Sequence, residues 1–335
     1  LGQRPSMESH NYAVLFQKML FDPYGHNPMS VIVSDEENIL ISVKLEVIKM
    51  QSTIDCVPCY IKQVISALRI AGVKEREQHV VINDLFPTIA QLDPAKTPAE
   101  NTSLVLFEAY SLIGQDDPFK EAKAVSNKLA HTFLPALERI IAYSEDSLLT
   151  ALKTSVAGNI IDMGINPHYD VGVSISKELQ RGFKRNDFEG FREMLSKGGP
   201  MVIIGDNSGE IYFDYMLMAN LRSFVEEIFY VVKGGPILND ATMEDVEGTG
   251  ISNLAKIITT GSNYLGVIPE KCSEELCSVM ESASIVLAKG QANYETLEGT
   301  SLAGDKTFFL LQAKCSVIAE HLGVEPGDSV LVRNI

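Results

Sequence analysis

The stretch that decides the fold reads Met201-Val202-Ile203-Ile204-Gly205-Asp206-Asn207. An uninterrupted apolar run, mostly β-branched, stops at a glycine followed by two oxygen-bearing side chains. A short run of this kind, bounded by turn residues, predicts a strand buried on both faces, as in a parallel sheet. The same grammar recurs downstream. Ile228–Val232 leads into Lys233-Gly234-Gly235-Pro236, with Asn239-Asp240 just beyond. Lys256–Thr260 leads into Gly261-Ser262-Asn263, and Ser284–Ala288 leads into Lys289-Gly290-Gln291-Ala292-Asn293. Helical patterns cover Tyr212–Leu221, Glu274–Glu281 and Ala313–Leu322, and a final strand is expected over Ser329–Val332. Alternating β and α elements specify an α/β fold, a largely parallel sheet covered by helices.

Upstream, Lys197-Gly198-Gly199-Pro200 is a helix stop and an expected boundary. Residues 50–196 then form a mainly helical region and residues 197–335 the α/β domain. In the helical region Ile61, Val64, Ile65 and Leu68 repeat at helical spacing before Gly72. Further helices are expected over Pro118–Ala130, Leu134–Tyr143, Ser147–Gly164 and Phe183–Leu195. Residues 1–49 mix a helical stretch, turn residues and strand-like runs. They read as an N-terminal extension whose status the sequence leaves open.

The chain has 335 residues, 45% hydrophobic and 21% charged, enough for a substantial core in one large or two ordinary domains. No apolar run reaches the roughly 18–20 residues that span a bilayer, and the first residues lack a secretory pattern. A soluble cytoplasmic protein is the expectation. The net charge of −16 repels phosphate backbones and anionic lipid, which argues against nucleic acid or membrane as partner. A bound divalent cation can still invert the local field for a small phosphorylated metabolite. Five cysteines with one close pair do not make a secreted disulfide framework.

The expected strand ends converge. Ligands of open parallel sheets bind outside the carboxyl ends of the strands, where this chain delivers small, polar and charged residues. Asp206, Asn207 and Asp240 are hard oxygen donors suited to magnesium or manganese. Lys233 and Lys289 are cations for a phosphoryl group, and the glycines beside them admit close backbone approach. Phosphoryl transfer asks for this combination of positioning and charge neutralisation. Each motif alone reads equally well as a turn or helix cap; their repetition carries the functional reading.

Ordered motifs add to it: Asp55-Cys56-Val57-Pro58-Cys59, Asp116-Asp117-Pro118-Phe119, Ala157-Gly158-Asn159-Ile160-Ile161-Asp162, Gly205-Asp206-Asn207-Ser208-Gly209-Glu210, Lys233 through Thr242, Lys289-Gly290-Gln291-Ala292-Asn293-Tyr294-Glu295, and Lys314-Cys315. Over about residues 50–330 the chain resembles the damage-control phosphatase family, long known as a domain of unknown function and including proteins once described as acidic-residue methyltransferases. The cysteine pair resembles that of its stand-alone subfamily. Residues 1–49 have no counterpart, which favours Met50 as an ancestral start. The resemblance implies a helical N-terminal region packed on a Rossmann-like three-layer α/β/α domain. It implies a divalent metal (manganese, magnesium, cobalt or nickel) on Asp206, Asn207 and Asp240, with Lys289, Gly290 and Asn293 at the substrate phosphate beside Lys233. Asn159 and Asp162 would reach in from the helical region. The implied reaction is hydrolysis of phosphomonoesters of small metabolites, such as sugar phosphates or damaged cofactor precursors. Asp206 and Lys289 would be catalytic, by metal-oriented water attack or through an aspartyl-phosphate.

Two other classes stay open: an S-adenosylmethionine-dependent carboxyl methyltransferase and a non-catalytic metal-binding protein. The first normally opens with a glycine-rich loop, where this chain offers Asp206-Asn207. Cys56 and Cys59 read as structural or as part of a second metal site, with Cys315 as third member. Cys272 and Cys277 form a Cys-x4-Cys pair on an expected helix. Gly248-Thr249-Gly250 lacks the strand and third glycine of a dinucleotide fingerprint.

Overall fold

The computed structural model describes residues 50–158 and 171–334, and in it the run before Gly205 is the body of a central strand. In chain order, a short 3₁₀ turn (Ile54–Cys56) precedes α1 (Val57–Ile70), α2 (Glu75–Ala90), α3 (Pro98–Ile113), α4 (Lys120–Ala142), α5 (Ser147–Ala157) and α6 (Val171–Arg181). The sheet region follows: β1 (Arg185–Asn186), α7 (Phe188–Ser196), β2 (Pro200–Ile204), α8 (Ile211–Leu221), β3 (Glu227–Val232), α9 (Met243–Val246) and β4 (Lys256–Thr259). After these come α10 (Glu274–Ser282), β5 (Ile285–Lys289), α11 (Gln291–Leu297), β6 (Thr307–Gln312), α12 (Ser316–Leu322) and β7 (Ser329–Arg333).

Local chemistry sets several of these boundaries. Thr97 caps α3, its Oγ1 accepting from Glu100 N at 3.2 Å, Pro98 takes the first turn, and Gly114 closes the helix in the left-handed region. Asp146 caps α5 by accepting from Leu149 N at 3.1 Å. The stretches expected over 118–130 and 134–143 are one helix, α4, running through Pro135. Buried Ala130, Leu137 and Ile141 continue one apolar stripe across the proline and outweigh its missing N–H.

The strand order is β1-β7-β6-β5-β2-β3-β4, with every neighbouring pair parallel except antiparallel β6 and β7. The chain winds outward from β2 through β3 to β4, then returns to place β5 on the other side of β2. The order reverses between β2 and β5, and such a reversal opens a crevice at the carboxyl edge.

Alternate strand residues face opposite layers. Met201, Ile203, Ile228, Tyr230, Ile285 and Leu287 pack against α4, α5, α7 and α8. Val202, Ile204, Val231, Val286 and Ala288 pack against α10, α11 and α12. A third core joins α1, α2 and α3 with Phe119 and with Ile237, Leu238 and Leu265 from loops at the carboxyl edge. The cores therefore do not divide at Lys197: α4 and α5 belong to a layer of the α/β sandwich, whereas α1–α3 cap the sheet edge. Residues 50–334 lie within one compact unit. Among the described residues no helix is long and apolar enough to cross a membrane.

The sheet also has members that the sequence pattern did not expose. The helix expected from Phe183 starts at Phe188, because Arg185 and Asn186 pair with Val330 and Leu331. β6 and α11 were not expected. α12 starts at Ser316 rather than Ala313, whose N–H donates to Asp328 O at 2.9 Å.

Candidate active site

The crevice between β2 and β5 receives both strand ends. Asp206 and Asn207 follow β2, while Lys289 ends β5 and Gly290 follows it. The loop after β3 folds back over them. Asn207 and Asp240 form an antiparallel bridge, Ser208 N donates to Asn239 O at 2.9 Å, and Ala241 N donates to Asp206 O at 2.9 Å. Asp206, Asn207 and Asp240 thus come together from separate strands on the wall of one cavity of about 520 Å³. All three are buried. Gly290 makes the approach possible. Its φ is +82°, and a Cβ there would overlap the Asp206 carboxylate.

Behind this wall lies a network of buried charge. Lys289 is 1% exposed and ion-paired with Asp214 at 2.6 Å and Glu210 at 2.9 Å. Glu210 and Asp214 stand four residues apart on one face at the start of α8. Tyr230 Oη and Ser155 Oγ both donate to Asp214, at 2.8 and 2.7 Å. Asn207 Nδ2 donates to Glu210 at 2.7 Å and to Asp206 at 3.1 Å, which fixes the orientation of the amide. Lys233 Nζ donates to Gly266 O at 2.6 Å and lies 3.5 Å from Asp240 Oδ2. Asp240 Oδ2 itself has no hydrogen-bond partner.

These surroundings displace the titrations. Burial pushes the Asp206 carboxyl up to about 6; Lys314 opposes this and Asp240 adds to it. Burial likewise raises Asp240 and pushes Glu210 up to about 7. Lys233 is lowered by burial, with Asp240 and Asp206 pulling the other way. Burial also works against the charge on Lys289, but Asp214 and Glu210 outweigh it and hold the ammonium above its ordinary range.

The donor set fits a divalent cation. Asp206, Glu210, Asp214 and Asp240 stand against the ammoniums of Lys233 and Lys289, with Lys314 also on the cavity wall. Burial disfavours the charge on Asp206 and on Asp240, and a cation at this wall would offset that cost. Hard oxygen ligands of this kind take magnesium or manganese, not a structural zinc.

The helical cap supplies the facing wall, including Tyr60, Ala99, Thr102 and Phe119, with Lys62 and Gln63 among its polar lining. It is bonded to the loops at the carboxyl edge of the sheet. Leu238 N donates to Tyr110 Oη at 3.1 Å and Leu265 N to Ser103 Oγ at 2.9 Å. Lys123 Nζ donates to Asp245 at 2.9 Å and to Thr242 at 3.3 Å. Leu238 has φ 44°, a left-handed conformation rare for leucine and held here beside Asp240.

The expected site residues fall into distinct places. Asp206, Asn207 and Asp240 line the cavity, as do Cys56, Cys59 and Cys315. Lys233, Lys289 and Asn293 lie behind it; Asn293 Nδ2 donates to Lys289 O at 2.6 Å and Gly205 O at 3.1 Å, tying β5 to β2. Asn159 and Asp162 lie outside the described residues. Burial pushes the Cys59 thiol up, with Glu295 and Cys315 adding to the shift. Among the described residues no group of three or more His, Cys, Asp or Glu is arranged to hold a metal, so the cysteine trio has no preformed ligand geometry. Glu210, Asp214, Tyr230, Glu295 and Lys314 had been assigned no role. Glu210, Glu295 and Lys314 sit inside quoted motifs, and the four-residue spacing of Glu210 and Asp214 was the available signal for the second carboxylate.

A parallel sheet whose reversal point carries two carboxylates and an amide beneath a helical cap defines an α/β protein with a cavity at the carboxyl edge of its sheet. The profile of the damage-control phosphatase ARMT1-like domain matches residues 52–330, and the chain belongs to that family. An uncharacterised protein of Methanocaldococcus jannaschii is 36% identical over 292 residues, 83% of this chain and 94% of that protein. A protein of Archaeoglobus fulgidus named damage-control phosphatase is 37% identical over 226 residues, 66% of this chain and 77% of the relative. The crystal structure of a DUF89 family protein from Pyrococcus horikoshii superposes with a TM-score of 0.78 at 30% identity. It covers 85% of this chain and 100% of its own.

Proposed function

We propose that this chain is a phosphatase that hydrolyses phosphomonoesters of small metabolites with a divalent cation on Asp206, Asn207 and Asp240. The observation that carries the reading is the meeting of these three side chains on one cavity wall, where burial disfavours the charge on Asp206 and Asp240 and Asp240 Oδ2 makes no hydrogen bond. The Archaeoglobus relative's name, damage-control phosphatase, supports the reaction class. A bound divalent cation would supply charge neutralisation for phosphoryl oxygens and an acidified water.

The chain's own residues do the rest. Asp206 and Asp240 provide the anionic oxygens, and Glu210 fixes the Asn207 amide so that its oxygen serves as ligand. Lys289 lies directly behind Asp206 and Asn207, fixed by Asp214 and Glu210. There it offsets part of their charge and keeps Glu210 against the Asn207 amide. The cap gives the organic part of a substrate both apolar and polar wall. Sugar phosphates and damaged cofactor precursors are the substrate classes proposed for a cavity of about 520 Å³. Attack by water is preferred to an aspartyl-phosphate, because Asp206 is committed to the cation; trapping with a phosphate mimic separates the two routes.

The test is turnover of p-nitrophenyl phosphate with manganese, cobalt, nickel or magnesium, with and without chelator, in the native chain and in Asp206→Ala. Metal-dependent turnover is expected, reduced by about 10²-fold or more in the variant. Turnover that persists unchanged in chelator overturns the proposal.

A further inference from the structure

One cysteine pair plays no part in the proposed site. Cys272 follows the 3₁₀ turn Pro269–Lys271, and Cys277 lies in the first half of α10. Their Sγ atoms are 2.8 Å apart, far closer than an S–H···S hydrogen bond requires, and both are free thiols. Both side chains are half-buried, so a small solute reaches them. Their separation leaves only a small side-chain movement to a covalent bond.

The segment that Cys272 closes has a defined structural task. It leaves β4 at Thr259 and returns to it: Ser273 N donates to Thr260 O at 2.9 Å, and Ser273 Oγ to Thr259 O at 3.2 Å. The residues between form a compact loop with adjacent ends, an Ω-type loop. Leu265 lines the cavity, Gly266 O holds Lys233, and Val267 N donates to Thr296 Oγ1 at 2.9 Å. Cys272 is the last residue of this loop, and Cys277 belongs to the helix on which the loop lands.

We propose that Cys272 and Cys277 form a dithiol–disulfide site that, when oxidised, staples the loop carrying Leu265 and Gly266 onto α10. The co-reactant is a peroxide or a low-molecular-weight disulfide. With hydrogen peroxide, the two thiols lose their hydrogens, one S–S bond forms, the peroxide O–O bond is reduced, and two waters leave. With a small disulfide, two successive exchanges release two small thiols. Closing so short a segment restricts the loop's departure from α10 and leaves Asp206, Asn207 and Asp240 untouched.

The experiment uses the full chain, reduced or treated with hydrogen peroxide or oxidised glutathione, then alkylated and digested with trypsin. Cys272 and Cys277 fall in one tryptic peptide, residues 272–289. After oxidation that peptide is expected to lose about 2 Da and to take up no alkyl group. Native trypsin cleavage after exposed Lys271 should slow several-fold, and the melting temperature should rise by about 2–5 °C. Cys272→Ser should lack the mass loss, the protection and the shift. Alkylation of both thiols after oxidant, oxygen addition to either sulfur without cross-linking, or a cross-link to Cys56, Cys59 or Cys315 overturns the proposal. These outcomes are read on the native chain and do not depend on a variant folding.

Discussion

At the scale of single residues, the site is marked by carboxylates whose charge burial disfavours. Asp240 is buried and raised by desolvation, and its Oδ2 makes no hydrogen bond, with Lys233 Nζ 3.5 Å away. Asp240→Asn removes a carboxylate whose charge burial disfavours, so the metal-free variant should be more stable than the native chain by about 1 kcal/mol. It should also lose the stabilisation that manganese gives the native chain. Thermal melts with and without manganese check both signs. Glu295, on the cavity wall but outside the cation's ligands, permits a pH prediction. Burial pushes it from 4.5 up to about 7, while Gln291 opposes the shift. Between those values the folded chain holds a proton that the unfolded chain has released, so this group's contribution to stability falls as pH rises through 7. Glu295→Gln should therefore gain stability over the native chain at pH 8, by at most about 3 kcal/mol, and show little gain at pH 4. A gap that stays constant with pH would mean that Glu295 does not titrate there. Behind the cation ligands, Asp214 offers a graded comparison. Tyr230→Phe should cost about 1 kcal/mol. Asp214→Ala, which strands a buried lysine against one remaining carboxylate, should cost about 3–5 kcal/mol in urea unfolding. These carboxylates were hard to read in sequence because an acidic residue in a helix's first turn ordinarily means nothing more than dipole compensation. Glu210 and Asp214 look the same until the strand that carries Lys289 lies across them.

At the scale of elements, the strand–glycine–oxygen grammar after β2, β3, β4 and β5 was legible because a parallel strand must be apolar throughout and must then stop. β6 is buried along nearly its whole length, and an all-apolar run gives no periodicity to distinguish strand from buried helix. β1 was hidden for the opposite reason: its two residues are exposed and owe their pairing wholly to β7. α11 was read as a strand-end motif because Lys289-Gly290 and Asn293 look like turn chemistry; they are also the entrance to a helix. That dual use exposes the β5–α11 junction to test. Gly290→Ala must place a methyl group at φ +82° and into the Asp206 carboxylate. At φ +82°, ψ 159° the backbone strain alone costs on the order of 1–3 kcal/mol. The larger expected effect is loss of manganese binding in calorimetry while the far-ultraviolet spectrum stays native. A variant that folds and binds manganese with native affinity would show that Asp206 can retreat without leaving the cation's reach.

At the scale of the whole molecule, the cap and the sheet edge are joined by hydrogen bonds that run through the catalytic loops themselves. Tyr110 on α3 accepts from Leu238, two residues before Asp240, and Ser103 on the same helix accepts from Leu265. Lys123 on α4 reaches Asp245 and Thr242 just after it. A cation that fixes Asp240 therefore also fixes the backbone to which α3 is bonded. At a manganese concentration of about 100 times its dissociation constant, binding should add about 2.7 kcal/mol to stability. Part of that gain should appear as slower amide exchange in α3, as well as in the loops that follow β2 and β3. Tyr110→Phe separates the two effects. It leaves Leu238 N without its acceptor and costs about 1–3 kcal/mol, yet touches none of the cation's ligands. Manganese should then still protect the Asp206–Asn207 loop from exchange but no longer protect α3, and KM for p-nitrophenyl phosphate should rise more than kcat falls, because the displaced wall belongs to the organic part of the substrate. Equal protection of α3 by manganese in the native chain and in the variant would show that the cap follows the cation through the packed core of Ile237, Leu238 and Leu265 rather than through this bond.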